Sequence, residues 1–137
     1  DDRPDLCLLA GADGVHLGQE DLPAEEVRRF LPRGAALGVS THTEEQFVEA
    51  LDLPADYLAL GPVFPTASKE RLDPVVPVPL QERLLRLAGG RPVVAIGGIT
   101  PVNAGALLGR GFSSVAVISA LERSPADAYR SFMAAVP

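Results

Sequence analysis

Five short apolar runs recur along the chain, each flanked by stretches whose apolar residues repeat at helical spacing. The runs are Val15–Leu17, Ala35–Val39, Tyr57–Leu60, Val93–Ile96 and Val115–Ile118. Their Val, Ile, Leu and Ala residues, with few polar interruptions, are the pattern of strands covered on both faces. The stretches between them have recognisable helix ends. Pro4–Ala10 has proline in its first turn and Gly11 as a stop. Asp21 followed by Leu22–Pro23 predicts a helix running to about Leu31, closed by Pro32 and Gly34. Thr43–Glu44–Glu45–Gln46 is a capping-box sequence for a helix reaching Leu51. Pro79–Ala88 is stopped by Gly89–Gly90. Thr100–Pro101 and Ser124–Pro125 each set a capping hydroxyl before a first-turn proline and open two more helices. The proline-rich segment from Lys69 to Pro77 follows neither period and reads as a long loop.

One helix between successive strands makes a βα repeat with parallel strands. The expected fold is α/β, a TIM (β/α)8 barrel represented by about five βα units, strands 4 to 8 of the closed form. A closed barrel takes eight strands in roughly 250 residues, so the 137 residues are read as one partial barrel domain, 1–137. The chain opens Asp1–Asp2–Arg3–Pro4, without Met and without a preceding strand, as a sequence that starts inside its fold. An open sheet leaves edges unpaired. The isolated chain is therefore expected to be poorly soluble or homo-oligomeric unless an N-terminal segment covers them.

Composition narrows the partners. With 47% hydrophobic residues the chain can bury a sizeable core. Twelve basic against 18 acidic residues give a net charge of -6, which argues against nucleic acid or an anionic membrane surface as main partner. Phosphate ligands stay open, because a few local donors or a bridging cation suffice. Cys7 is the only cysteine, so no internal disulfide or thiolate cluster forms. No run approaches the roughly 18 apolar residues of a membrane span, and no signal peptide precedes the fold; the expected location is cytoplasmic.

Candidate chemistry gathers just after the strands. Gly61–Pro62–Val63–Phe64–Pro65–Thr66–Ala67–Ser68–Lys69 follows Tyr57–Leu60 and offers two hydroxyls and a lysine on a backbone stiffened by two prolines. Gly97–Gly98 lies between a buried strand and a capped helix, where backbone can approach an anion and free N–H groups face it. In barrels the loops after the last two strands often share one phosphate, which joins Gly98 to Ile118 and Ser119. Asp21 reads locally as a helix N-cap. Paired with Asp2 across strand ends, it reads instead as half of a hard-cation site of the kind Mg²⁺ takes. Lys69 divides between a surface lysine and a phosphate contact. His16 and His42 are not spaced for a shared metal and are read as packed or solvent-facing. Cys7 is read as packing in the first helix, and Asn103 as support for its helix's first turn.

In order and spacing, several of these segments resemble the thiamine-phosphate synthase family. The carriers are Asp1–Asp2–Arg3, Gly11 to Asp21, Gly38–Val39–Ser40–Thr41–His42–Thr43, Gly61 to Lys69, Ala95 to Ile99 with Asn103, and Val117 to Ala120. The resemblance implies an eight-stranded barrel that joins a pyrimidine methyl diphosphate to a thiazole phosphate. The products are thiamine phosphate and pyrophosphate, with Mg²⁺ as cofactor. It implies a dissociative route in which positioning and charge stabilisation supply most of the rate. By position, Asp2 and Asp21 would hold Mg²⁺. Ser40 and Lys69 would serve the pyrimidine and its diphosphate as the catalytic pair. Thr66, Ala67 and Ser68 would line the thiazole phosphate site with Gly98, Ile118 and Ser119. Asp1 stands where the family usually has an asparagine at the pyrimidine, and Pro77 where a glycine is usual. A Gln-x-Arg-x-Lys motif that grips the diphosphate in the family is not found, and Gln81–Glu82–Arg83 is no substitute. Two alternatives accompany this reading. A thiazole tautomerase-like isomerase usually has a histidine where this chain has Pro62; the other is a non-catalytic, phosphate-binding barrel remnant.

Overall fold

The computed structural model describes residues 1–66, 73–121 and 124–135. Helices and strands alternate through the chain: α1 (Pro4–Ala10), β1 (Gly14–Leu17), α2 (Ala24–Phe30), β2 (Ala36–Thr41), α3 (Glu44–Ala50) and β3 (Tyr57–Leu60). They continue as α4 (Val78–Leu87), β4 (Val93–Ile96), α5 (Pro101–Arg110), β5 (Ser114–Ala116) and α6 (Pro125–Ala135). The strands form one sheet in the order β1-β2-β3-β4-β5. Every pairing is parallel, so each strand lies beside its successor in sequence. This is the arrangement of consecutive βα units in a barrel wall.

Register sorts the strand residues onto two faces. Leu17, Val39, Leu58 and Val93 form one row across four strands, and Thr41, Leu60, Ala95 and Val115 form another. These rows share a core with Val27, Phe47, Leu84, Ala104 and Leu107 from α2 to α5. Fully burying each large aliphatic side chain stabilises by about 1.5–3 kcal/mol, which holds the helices on this face. The opposite face carries His16, Gly38 and Tyr57 in one row and Ser40, Ala59, Val94 and Ser114 in the next. It is the inner face of a barrel wall, and it is less covered: His16, Tyr57 and Val94 are half-buried and Ser114 is exposed.

Three elements have boundaries that shift for local reasons. The helix anticipated from Asp21 begins at Ala24, with extended Pro23 at its cap position. A residue preceding proline is driven away from the helical region, so Leu22 cannot extend the helix back, and Asp21 is not its N-cap. The other end stops at Phe30, because Leu31 precedes Pro32 and is extended. β2 runs on through Ser40 and Thr41, which pair with Ala59 and Leu60. The Thr41 hydroxyl is buried and donates to the Ala59 carbonyl at 2.8 Å, so a polar residue closes the strand. β5 ends at Ala116, opposite Ile96 and just before β4 turns away at Gly97, rather than reaching Ile118. The remaining helices start within a residue of expectation. Thr43 caps α3 by accepting the Gln46 N–H at 3.2 Å, and Asn103 Oδ1 accepts the Thr100 N–H at 2.8 Å at the start of α5.

Candidate active site

Parallel strands bring all their C-terminal ends to one rim, and the polar groups singled out in the sequence that fall within the described residues lie there or in the loops that leave it. Asp2 runs alongside β1, its N–H donating to the His16 carbonyl at 3.0 Å. It adopts φ 63°, the one described non-glycine residue with positive φ. Aspartate tolerates this region better than most residues, and such local strain concentrates at functional positions. Beyond β1, the Asp21 carboxylate folds back to accept the Gly18 N–H. Without a helix to cap, Asp21 is anchored to the end of β1, the strand beside which Asp2 lies. Two carboxylates here are a hard oxygen donor set, and Mg²⁺ commonly takes only one or two carboxylates. Among the described residues no group of three or more His, Cys, Asp or Glu could hold a metal.

Ser40, on the inner face of β2, is the centre of the best-defined polar cluster. His16 Nε2 lies 2.8 Å from its hydroxyl, and His16 Nδ1 lies 2.9 Å from the Tyr57 hydroxyl. The two rings stack with centroids 5.5 Å apart and planes at 25°. The Ser40 carbonyl accepts from Gln19 Nε2 at 2.6 Å, tying the loop after β1 to β2. Burial pushes the Tyr57 phenol above its ordinary range, so it stays protonated at neutral pH. His42, beyond β2, is tied to β3 by Nδ1 at 2.6 Å from the Gly61 carbonyl and lies 3.6 Å from Asp73.

The loops after β3 and β4 interlock. The Val63 N–H donates to the Ile96 carbonyl at 2.9 Å and the Phe64 N–H to the Gly97 carbonyl at 3.2 Å. This close approach requires glycine. Gly97 and Gly98 have φ of 87° and 66°. A Cβ at Gly98 would lie 2.5 Å from the Pro65 carbonyl oxygen, and one at Gly97 2.6 Å from Pro62 Cβ. Asn103 Nδ2 donates to the Gly98 carbonyl at 3.2 Å, coupling the turn to the first residues of α5. The glycine pair is thus a backbone cradle opening on a helix N-terminus. It adjoins Thr66 through the Pro65 contact. Ile118 is 72% exposed beyond β5, and Ser119 follows in a turn.

Of the residues expected at the site, Asp2, Asp21, Ser40, Thr66, Gly98, Ile118 and Ser119 all lie at this rim or in the loops that leave it. Asp1 precedes Asp2 there, its carbonyl accepting the Arg3 N–H at 2.7 Å. Ala67, Ser68 and Lys69 lie outside the described residues. Sequence reasoning passed over His16, Gln19 and Tyr57. The first and last share a readable signal: each is a polar ring in an otherwise apolar strand, at the phase that faces away from the helices.

The sequence model of the family described as "Thiamine monophosphate synthase" matches residues 1–121. The thiamine-phosphate synthase of Chlorobium phaeovibrioides is 46% identical over 125 residues, 90% of this chain and 59% of its own length. That of Methanospirillum hungatei is 47% identical over 133 residues, 96% of this chain and 64% of its own. The solved thiamine phosphate pyrophosphorylase of Pyrococcus furiosus superposes with a TM-score of 0.85 at 36% identity, covering 98% of this chain and 64% of that one. The chain therefore spans less than two thirds of the length of these relatives. Matched from its first residue to beyond β5, and sharing the fold of a solved relative at 36% identity, the chain belongs to the thiamine monophosphate synthase family.

Proposed function

We propose that this rim carries thiamine-phosphate synthase chemistry: the coupling of 4-amino-2-methyl-5-(diphosphooxymethyl)pyrimidine with thiazole phosphate, releasing pyrophosphate. The observation that carries the reading is the placement, on one rim of the parallel sheet, of two carboxylates beside β1, the Ser40 hydroxyl on β2 and the Gly97–Gly98 cradle after β4. These are the group types that a diphosphate, a pyrimidine and a second phosphate require.

In this reading Asp2 and Asp21 would hold Mg²⁺, which when bound would offset the negative charge of the diphosphate. The reaction is dissociative. The bond between the pyrimidine methylene carbon and the diphosphate oxygen breaks, and the electron pair leaves with pyrophosphate. The cation left on the methylene is stabilised by the pyrimidine, and the thiazole nitrogen closes the new C–N bond. No protein group need take or give a proton in that exchange. The protein's task is to align the two rings and stabilise the leaving charge. Ser40 holds the pyrimidine, and Lys69 lies with the diphosphate. The thiazole phosphate rests on Gly98 and the start of α5, with Thr66, Ala67, Ser68, Ile118 and Ser119 around it. Asp1 borders the pyrimidine.

Pro62 supports this reading over an isomerase on the same fold, which would place histidine there. The reading further takes the protein to act in the cytoplasm; no helix among the described residues is long and apolar enough to cross a membrane. The deciding measurement is thiamine phosphate formation from both substrates with and without Mg²⁺. Metal-dependent product is the expected result. Absence of product with both substrates bound would overturn the reading.

A further inference from the structure

The cluster beneath Ser40 has a polarity that can be derived from its bonds. Register places Gly38 between His16 and Tyr57 in one row of the inner face. Because Gly38 has no side chain, the two rings meet over it. A Cβ there would overlap the Tyr57 ring and hydroxyl and lie 2.5 Å from His16 Nδ1. The half-buried phenol keeps its proton and needs an acceptor. Among the described residues, the atom within hydrogen-bonding distance of it is His16 Nδ1 at 2.9 Å. A neutral imidazole has one N–H and one bare nitrogen. If Nδ1 accepts from Tyr57, Nε2 bears the hydrogen and donates to Ser40 Oγ, 2.8 Å away. The Ser40 hydroxyl, its lone pair engaged, then directs its own hydrogen out of the cluster.

We propose that Tyr57 and His16 are positioning residues that lock Ser40 as a hydrogen-bond donor, so that the rim selects a ligand acceptor, such as a pyrimidine ring nitrogen or a diphosphate oxygen, at this point. With the other tautomer, Ser40 would donate into Nε2 and offer a ligand lone pairs only. The inference rests on the proposed pyrimidine site for the identity of the acceptor. The direction of the relay rests on Tyr57 donating to His16 Nδ1.

The test reads the two apart. Imidazole ¹⁵N shifts of His16 in the whole chain, followed across pH, report the tautomer directly. Binding of the pyrimidine diphosphate is measured in parallel by calorimetry. The wild type is expected to show Nε2–H. Tyr57→Phe, which removes the donor to Nδ1, and Gly38→Ala, which displaces the ring, are expected to shift His16 towards Nδ1–H. Tyr57→Phe should weaken pyrimidine diphosphate binding about tenfold, the loss of roughly one good hydrogen bond. It should weaken it no further in a Ser40→Ala background, whereas a merely structural role would add to that variant's loss. Nδ1–H in the wild type, or an unchanged tautomer in Tyr57→Phe, overturns the relay. Nε2–H with no binding of the pyrimidine diphosphate by the wild type supports the relay and overturns the proposed substrate.

Discussion

The two ends of the strands use polar residues in opposite ways. At the N-terminal ends, side chains close on the backbone. Arg28 donates to the Ala35 carbonyl at 2.9 Å, to the Pro54 carbonyl at 3.1 Å and to Asp56 at 2.6 Å. Asp56 in turn accepts the Leu37 N–H at 2.7 Å, and Arg91 spans the Ala50 and Leu53 carbonyls. These groups finish the loops entering β2, β3 and β4. At the C-terminal ends the chain sets Gly97 and Gly98 under the loop of a neighbouring strand, beside a strained aspartate and a hydroxyl backed by two rings. The first end joins elements together; the second is built to meet something else. Parallel topology creates this division, because all strand ends of one kind lie on one side.

Substitutions at each end should separate activity from stability, and the largest effect is expected at the rim. Asp21→Asn should lower Mg²⁺-dependent thiamine phosphate formation on the order of a thousandfold, with a thermal midpoint close to wild type. A loss of activity accompanied by an equal loss of folded protein would erase the contrast. Gly98→Ala places a side chain at φ 66° and against the Pro65 carbonyl. It should cost about 2–3 kcal/mol of stability and abolish thiazole phosphate binding, as calorimetry would register.

Smaller effects belong to the other end. Arg28→Ala should destabilise by about 2 kcal/mol in urea unfolding while leaving ligand affinity of the folded fraction unchanged. Altered affinity would mean that the two ends communicate. Asp56→Asn should cost about 1 kcal/mol at neutral pH. Its carboxyl tends upward through partial burial, but the Leu37 N–H and Arg28 outweigh this and hold it below the usual carboxylate range. A depressed folded value means the contribution is full above the unfolded value of about 3.9. It fades as pH falls below that through the folded value. Stability curves of wild type and Asp56→Asn should therefore converge on acidification from about pH 4 downward. Parallel curves would remove Asp56 from the network's electrostatics.

Much of this was legible in the chain. Apolar runs, first-turn prolines and glycine stops sufficed for eleven elements in order, because these signals act within a few residues. The rim positions of Ser40, Gly98 and Asp21 were legible too, since a βα repeat assigns every post-strand loop to one side. For Asp21 the local surroundings suit a cap as well as a strand-end ligand, and the structure removes the cap, with Pro23 at that position. The restriction that Pro23 imposes on Leu22 delays the helix to Ala24.

By itself, the sequence determined the repeat, the parallel sheet, the family and the kinds of groups at the strand ends. Its hydrophobic period and turn chemistry are local and survive without knowledge of neighbours. Only tertiary structure decided which polar residues act together. His16, Gly38 and Tyr57 are far apart in sequence and become a row through strand register. Gly98 becomes indispensable because Pro65 from another loop closes over it. Contacts between strands depend on register and close packing, which no single segment encodes.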